Sequence, residues 1–214
     1  MKEIIILKNH FYLHKSGAVF WKEKNSLLIA DTHLGKVGHF RKNGIPVPKK
    51  AESVFYKKIA RLVNSLNFSK IIFLGDLFHS SLNNEWYLFE DWVKKNSLKI
   101  TLIKGNHDII QKSKFESLGI KLLNDLKMGK FFFTHHPKKV KNHFVFCGHV
   151  HPGVKLIGKG KQIMKLPCFI YSDNQILLPS FGGFTGMYMP KIKKSDKVFV
   201  ITKQEVIEVK ENKF

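Results

Sequence analysis

Two residues of the stretch FCGHVHPG, His149 and His151, stand one residue apart where an apolar run ends. Successive side chains on a strand alternate faces, so residues i and i+2 project to the same side. Two neutral imidazoles facing one way make half of a site for Zn, Mn, Fe or Ni. Taken alone, a His-x-His is as readily a pair of surface histidines. Other apolar runs end in the same way. IADTH closes on Asp31 and His33, LGD on Asp76, KGNHD on Asn106, His107 and Asp108, and FTHH on His135 and His136. Five runs in succession deliver Asp, Asn or His at one end, a sorting that independent structural histidines would not show. Carboxylate, imidazole and amide oxygen suit Mn, Fe, Zn or Ni. They are too many for one tetrahedral ion, and no thiolate cluster points to a structural zinc. The economical reading is two metal ions about 3.5–4 Å apart, bridged by one carboxylate and a water or hydroxide, that activate a nucleophile for in-line attack at phosphorus. A histidine outside the ligand set can protonate the leaving oxygen.

The elements that must position these residues are strand-like runs, apolar and β-branched or aromatic: EIIIL (3–7), AVFW (18–21), SLLIAD (26–31), KIIFLGD (70–76), KITLIKG (99–105), KFFFTH (130–135) and HFVFCGH (143–149). Two helical patterns lie between them. AESVFYKKIARLVNSL (51–66) sets Val54, Ile59, Leu62, Val63 and Leu66 near one stripe. NNEWYLFEDWVKK (83–95) opens on Asn83 as a cap and turns Trp86, Phe89 and Val93 to one face. A shorter helix is expected at 109–117. The first half alternates β-α-β-α-β, and from 143 onward the segments GVKLIG, QIMKLPCFIYSD, QILLPS, KVFVITK and EVIEVK are strand-like, with no helix. This predicts one α/β domain over residues 1–214, its second half rich in strands. Functional residues in such folds gather where strand C-termini meet loops.

The chain is 43% hydrophobic, and its longest apolar runs are strand length, so no membrane span is expected. MKEIIILKNHFYL reads as a first strand and not as a signal peptide. Cys147 and Cys168 show no ligand spacing, which makes a reduced, cytoplasmic protein the default. The formal net charge is +21. Such a surface attracts polyanions, and nucleic acid is the commonest in a cytoplasm. Nearly all of that charge is Lys, with Arg only at 41 and 61. The Lys-, Asn-, Ile- and Phe-rich composition of an AT-rich genome is the competing explanation.

The ordered set D-x-H, G-D, G-N-H-D, a strand-end H and G-H-x-H, over residues 31 to 151, resembles the calcineurin-like metallophosphoesterases. The resemblance implies a four-layer α/β/β/α sandwich with two mixed central sheets. It also implies roles. Asp31, His33 and His151 would hold one metal, Asn106, His135 and His149 the other, and Asp76 would bridge them. His107 would act on the leaving group, oriented by Asp108. Of the adjacent His135 and His136, His135 ends the run directly and is the expected ligand. His79, in GDLFHS, either contacts substrate phosphate or closes the loop.

The ligands do not choose a substrate, so the loops must. THLGKVGHFRKNGIPVP (32–48) carries Lys36, His39, Arg41 and Lys42 and is either a substrate-binding or an ordinary basic loop. LPSFGGFTGMYMP (178–190) reads first as a tight turn packed on the core by Phe181 and Phe184. Together with the motifs, these segments are similar to the ligase-associated DNA damage response endonucleases, a likeness that covers about residues 30 to 190. It implies a Mn-dependent phosphodiesterase acting on DNA, an endonuclease in repair or end processing, with a DNA ligase and associated repair proteins as partners and a homodimer as an unsurprising state. Lys36, Arg41 and His79 are the expected substrate-binding residues. The alternative is a small-molecule phosphoesterase for nucleotides or cyclic nucleotides, which a narrow closed pocket would favour. A third reading is a scaffold with a metal site and little catalysis, against which the intact His107–Asp108 pair argues.

Overall fold

The computed structural model describes residues 1–47, 53–80, 82, 84–158, 160–183 and 185–209. Positions 51, 52 and 210 of the expected elements, Asn83 as a helix cap, and Phe184 lie outside them. Two mixed sheets lie at the centre. The first runs β1 (Lys2–Ile6), β2 (Asn9–Leu13), β3 (Val19–Trp21), β4 (Ser26–Ile29), β5 (Lys70–Leu74), β6 (Lys99–Ile103) and β7 (Lys121–Leu123) in that spatial order. Its first four strands pair antiparallel, and β4 to β7 pair parallel. The second sheet is built from β8 (Asp125–Met128), β9 (Phe131–Thr134), β10 (Phe144–Cys147), β11 (Gly153–Ile157), β12 (Ile163–Ser172), β13 (Gln175–Leu177), β14 (Lys197–Ile201) and β15 (Val206–Val209). Its order is β15-β14-β12-β13-β10-β9-β8, with β11 paired to β12 alone. β9, β10 and β13 are parallel. The buried strands β4, after Ser26, and β10 are apolar because both of their faces are covered.

Three cores hold the layers. Helices α2 (Val54–Ser65), α3 (Asn84–Lys95) and α4 (Lys112–Glu116) cover the first sheet with Phe55, Ile59, Leu62, Trp86, Phe89 and Phe115. Between the sheets, aromatic rings interlock: Phe11 lies 4.8 Å from Phe146, and Phe146 stacks on Phe133 at 5.3 Å. The outer face of the second sheet carries a smaller core around Val145, Cys147, Cys168 and Val200, closed by side chains such as Val140, Leu156 and Ile192. No described residue after 117 is helical, so strands and loops close that side. The protein is thus a layered α/β sandwich around two mixed sheets.

Several local expectations change. Lys36–Lys42, read as loop, forms a two-turn helix, α1, too short to show a period and anchored by buried Val37. The run 1–13, expected as one first strand, is two, β1 and β2, turned at Leu7 and Lys8, and strands β7 and β8 were not anticipated, since each is short or broken by polar residues. On α2 it is Phe55 that faces inward, while Val63 is 38% exposed. Most consequential, β4, β5, β6, β9 and β10 stop at Ile29, Leu74, Ile103, Thr134 and Cys147, short of the residues expected to do chemistry.

Candidate metal centre

Those residues leave the ladders because their backbones turn. Asp31, His33, Asp76, His149 and His151 all have positive φ, between 46° and 67°. Residues other than glycine adopt this conformation uncommonly, Asn, Asp and His more readily than the rest, and such strain gathers at functional sites. The expected strand alternation of His149 and His151 therefore does not hold. The two rings diverge into different clusters, brought there by left-handed turns.

The turns are fastened to one another. The loops after β4 and β5 run side by side, with Asp31 N donating to Gly75 O, His33 N to Asp76 O and Leu34 N to Leu77 O at 2.8 to 3.2 Å. His149 N donates to both Asp31 carboxylate oxygens, at 3.2 and 2.9 Å, which ties the second sheet to the first. From behind, Ser180 Oγ and Gly182 N donate to Asp31 O at 2.6 and 3.1 Å. The 178–183 segment is thus a support for Asp31, and Phe181 is fully buried as expected.

Four glycines make this approach possible. A Cβ on Gly75 would collide with the His135 ring, on Gly105 with Asp76 Oδ1 and its backbone N, on Gly148 with Asp31 Oδ2, and on Gly182 with Thr32 O. Three of these glycines precede the ligand motifs in sequence, so the signal was present in G-D, G-N-H-D and G-H-x-H. Its meaning required the packing.

Two clusters result. In one, His33 Nε2 lies 3.3 Å from His151 Nε2, and His151 Nε2 lies 3.4 Å from Asp31 Oδ1. In the other, His135 Nε2 lies 3.1 Å from His149 Nδ1. Asp76 Oδ2 stands between them, 3.7 Å from His33 Nε2 and 3.6 Å from His135 Nε2. Asp31 and Asp76 are almost completely buried, and their close cationic neighbours are imidazoles. Buried carboxylates need a cation or a metal. Facing imidazole nitrogens at 3.1 and 3.3 Å, with these carboxylates between, fit a pair of divalent cations. Carbonyl oxygens fix the tautomers that metal ligation needs: His135 Nδ1 donates to Leu74 O at 2.9 Å and His151 Nδ1 to Thr185 O at 3.3 Å.

The electrostatics favour neutral rings at His33 and His149. Burial, then the neighbouring His151 and Lys36, pushes His33 down to about 2. Burial also lowers His149, with His135 and His136 adding to it. For His151 burial works downward, but Asp31 beside it raises the ring above its usual value.

The remaining expected residues fall into place unevenly. Asn106 is exposed, and its amide bonds to no described residue. Its flanking His107 N donates to Asp76 Oδ1 at 2.9 Å, which sets Asn106 beside the bridge. His107 is oriented differently from expectation: its Nδ1 meets His79 O at 3.1 Å, and its ring stacks on His79 at 5.0 Å. Asp108 is buried and accepts from Gly105 N and Phe78 N at 2.9 and 3.2 Å, so it holds the loops and not the His107 ring. Burial raises its carboxyl to about 6, against those amides. His79, half-buried, also packs edge-on to His33 and His39. Lys36 is half-buried, its ammonium pulled down by burial and supported by Asp76. Arg41 lies on the exposed side of α1, in a shallow cleft with Gly44, Ile45 and Pro46. One histidine was underrated: exposed His136 brings its ring 4.2 Å from His149, and a ligating nitrogen of each of His135, His136 and His149 falls within 4.8 Å of the others.

The family profile of the calcineurin-like phosphoesterases matches residues 25–202. The chain belongs to this family. Its members use two divalent metals, and two clusters with Asp76 Oδ2 between them match that requirement. The crystal structure of nuclease MPE from Pseudomonas putida superposes with a TM-score of 0.80 at 28% identity, over 97% of this chain and 99% of that one. A protein of unknown function from Aquifex aeolicus matches with a TM-score of 0.43 at 18% identity, over 59% and 78%. Zinc-complexed Vps29 from Entamoeba histolytica matches at 0.37 and 17%, over 86% and 96%. No curated protein matches the sequence.

Proposed function

We propose that this calcineurin-like phosphoesterase is a Mn-dependent phosphodiesterase that cleaves DNA internally, in repair or end processing. The observation that carries the reaction class is the single Asp76 oxygen within 3.7 Å of an imidazole of each cluster. The full-length likeness to a nuclease supports the substrate class, as does the +21 charge.

In this reading Asp31, His33 and His151 hold one ion, and His135, His149 and Asn106 hold the other, with Asp76 shared. Two ions so held supply Lewis-acid charge at the phosphodiester and activation of water. The chain supplies the rest. His79 O keeps the proton on His107 Nδ1, so His107 Nε2 is the atom that hands a proton to the leaving oxygen when the ring is charged. Asp108 holds Gly105 and Phe78, and through them the loops that present His107 and His79. Lys36 adds positive charge on the His33 side. DNA is the expected partner, and a DNA ligase follows from the sequence resemblance.

The test is activity of metal-stripped protein reloaded with Mn on circular single-stranded DNA, supercoiled duplex and a chromogenic small diester, with Asp76→Asn as control. Cleavage of a circle, lost in the control, is expected. Turnover of the diester with no DNA cleavage would move the reading to a small-molecule phosphoesterase. His107→Ala is expected to lower turnover by about 10²–10⁴ while metal content stays near that of the wild type. Loss of metal in that variant would refute the role.

A further inference from the structure

The ribbon formed by β11 and β12 begins two residues after His151, and residues 163–167 of β12 pair with β11 alone. One of its faces is accounted for: Val154, Leu156 and Leu166 pack onto the outer core of the second sheet. The other face is not. On it Lys155 stands directly opposite Lys165, and Ile157 directly opposite Ile163. Like charges placed opposite each other on a ladder are destabilising. Both isoleucines are more than half exposed, at 53% and 57%, and belong to none of the three cores.

The surrounding sequence offers the lysines no relief. Residues 126–172 contain nine lysines and no Asp or Glu, and neither Lys155 nor Lys165 forms an ion pair among the described residues. The face also leads to the metal centre. Its first position is Gly153, where an added Cβ would come within 3.0 Å of Met187. Gly153 N donates to Tyr188 O at 2.8 Å, and Thr185, two residues before Met187, supplies the carbonyl that orients His151. Met187 and Tyr188 are themselves 43% and 63% exposed. From Gly153 to Ile157 the ribbon is about 14 Å long at 3.4 Å per residue, or roughly four nucleotide steps along a DNA strand.

We propose that this ribbon face is a DNA-binding surface that carries the substrate away from the metal centre. A backbone phosphate sits between Lys155 and Lys165 and relieves their repulsion. Ile157 and Ile163 pack against sugar or base edges, as apolar side chains do in a groove. The proposal rests on the reading of the chain as a DNA phosphodiesterase.

The test compares wild type with Lys155→Gln/Lys165→Gln, with Ile157→Ser/Ile163→Ser, and with Lys22→Gln/Lys24→Gln. The last pair lies at the opposite end of β4 from Asp31 and controls for bulk charge. Affinity for fluorescent duplex DNA is read by anisotropy across salt concentrations, beside turnover of a chromogenic diester. The ribbon lysine variant is expected to bind DNA about tenfold more weakly, with a salt slope lower by about 0.9 for the one lost phosphate contact. Diester turnover is expected to stay unchanged, and the control pair to move affinity far less. The isoleucine variant is expected to weaken DNA binding with the salt slope intact. DNA affinity equal to wild type in both ribbon variants would overturn the proposal and leave the nuclease reading standing. A wild type that neither binds nor cleaves DNA would overturn the nuclease reading itself. Binding of wild type to phosphatidylserine vesicles, lost in the isoleucine variant while DNA affinity holds, would assign the face to a membrane and overturn the proposal.

Discussion

Gly105 shows how finely one residue controls the centre. Its φ is ordinary, so alanine there costs nothing in backbone conformation, yet a Cβ would collide with Asp76 Oδ1 and with the Asp76 backbone. Gly105→Ala is expected to displace the shared carboxylate. A misplacement of about 1 Å is enough for a roughly 10²-fold loss of turnover. Metal titration by calorimetry should show weakened binding of both ions, and two intact sites would contradict the shared role of Asp76. The residue types of the centre were legible in sequence because Asp, His and Asn recur at the ends of apolar runs. Their grouping was not, since it depends on backbone turns that leave no periodic trace. The same holds for His107: adjacency to Asp108 suggested a partnership, but the turn points the Asp108 carboxylate at Gly105 N and Phe78 N, and a carbonyl 28 residues away holds the ring.

Elements were legible where they were long and buried. The parallel strands read as continuous apolar runs, while α1, β7 and β8 were too short for a pattern to form. What the elements do for the centre is clearest at α2. Its Lys58 is largely buried, donates to Phe181 O at 2.7 Å, and lies over the Phe181 ring at 4.8 Å. It pins the helix to the segment that supports Asp31. Burial pushes Lys58 down to about 8 from 10.5. Between those values the unfolded chain keeps a proton that the folded chain has released, so stability rises with pH across that window. The slope is up to about 1.4 kcal/mol per pH unit. In denaturant unfolding at pH 8, 9 and 10, wild type is expected to gain on Lys58→Met by roughly 1–2 kcal/mol. A constant difference would mean that the lysine stays charged in the fold.

At the scale of the molecule, two sheets pack face to face, and the loops at one end of both form a junction that cations would complete. Asp31 receives His149 N from the second sheet, and Asp76 lies between imidazoles of both sheets. Mn²⁺ at about 100 times its Kd should therefore stabilise the fold by roughly 2.7 kcal/mol per site. For a chain of this size that is a rise in Tm of about 5–10 °C for one site. Thermal melts in EDTA and in Mn²⁺ measure it directly, and Asp76→Asn is expected to lose at least half of the rise. An identical melting temperature in the two buffers would mean that the junction forms without its ions.

The five left-handed residues have a further consequence. Each costs about 1 kcal/mol or more in a conformation that glycine adopts freely, and their sum is comparable with the whole stability of an ordinary domain. Selection for heat resistance alone would fill the three histidine positions with glycine, whereas Asp31 and Asp76 also accept the amides of His149 and His107. Metal-free His33→Gly and His151→Gly variants should accordingly melt no lower than the metal-free parent, though they catalyse nothing. Durability and catalysis compete here for the same positions, and the chain has settled in favour of catalysis.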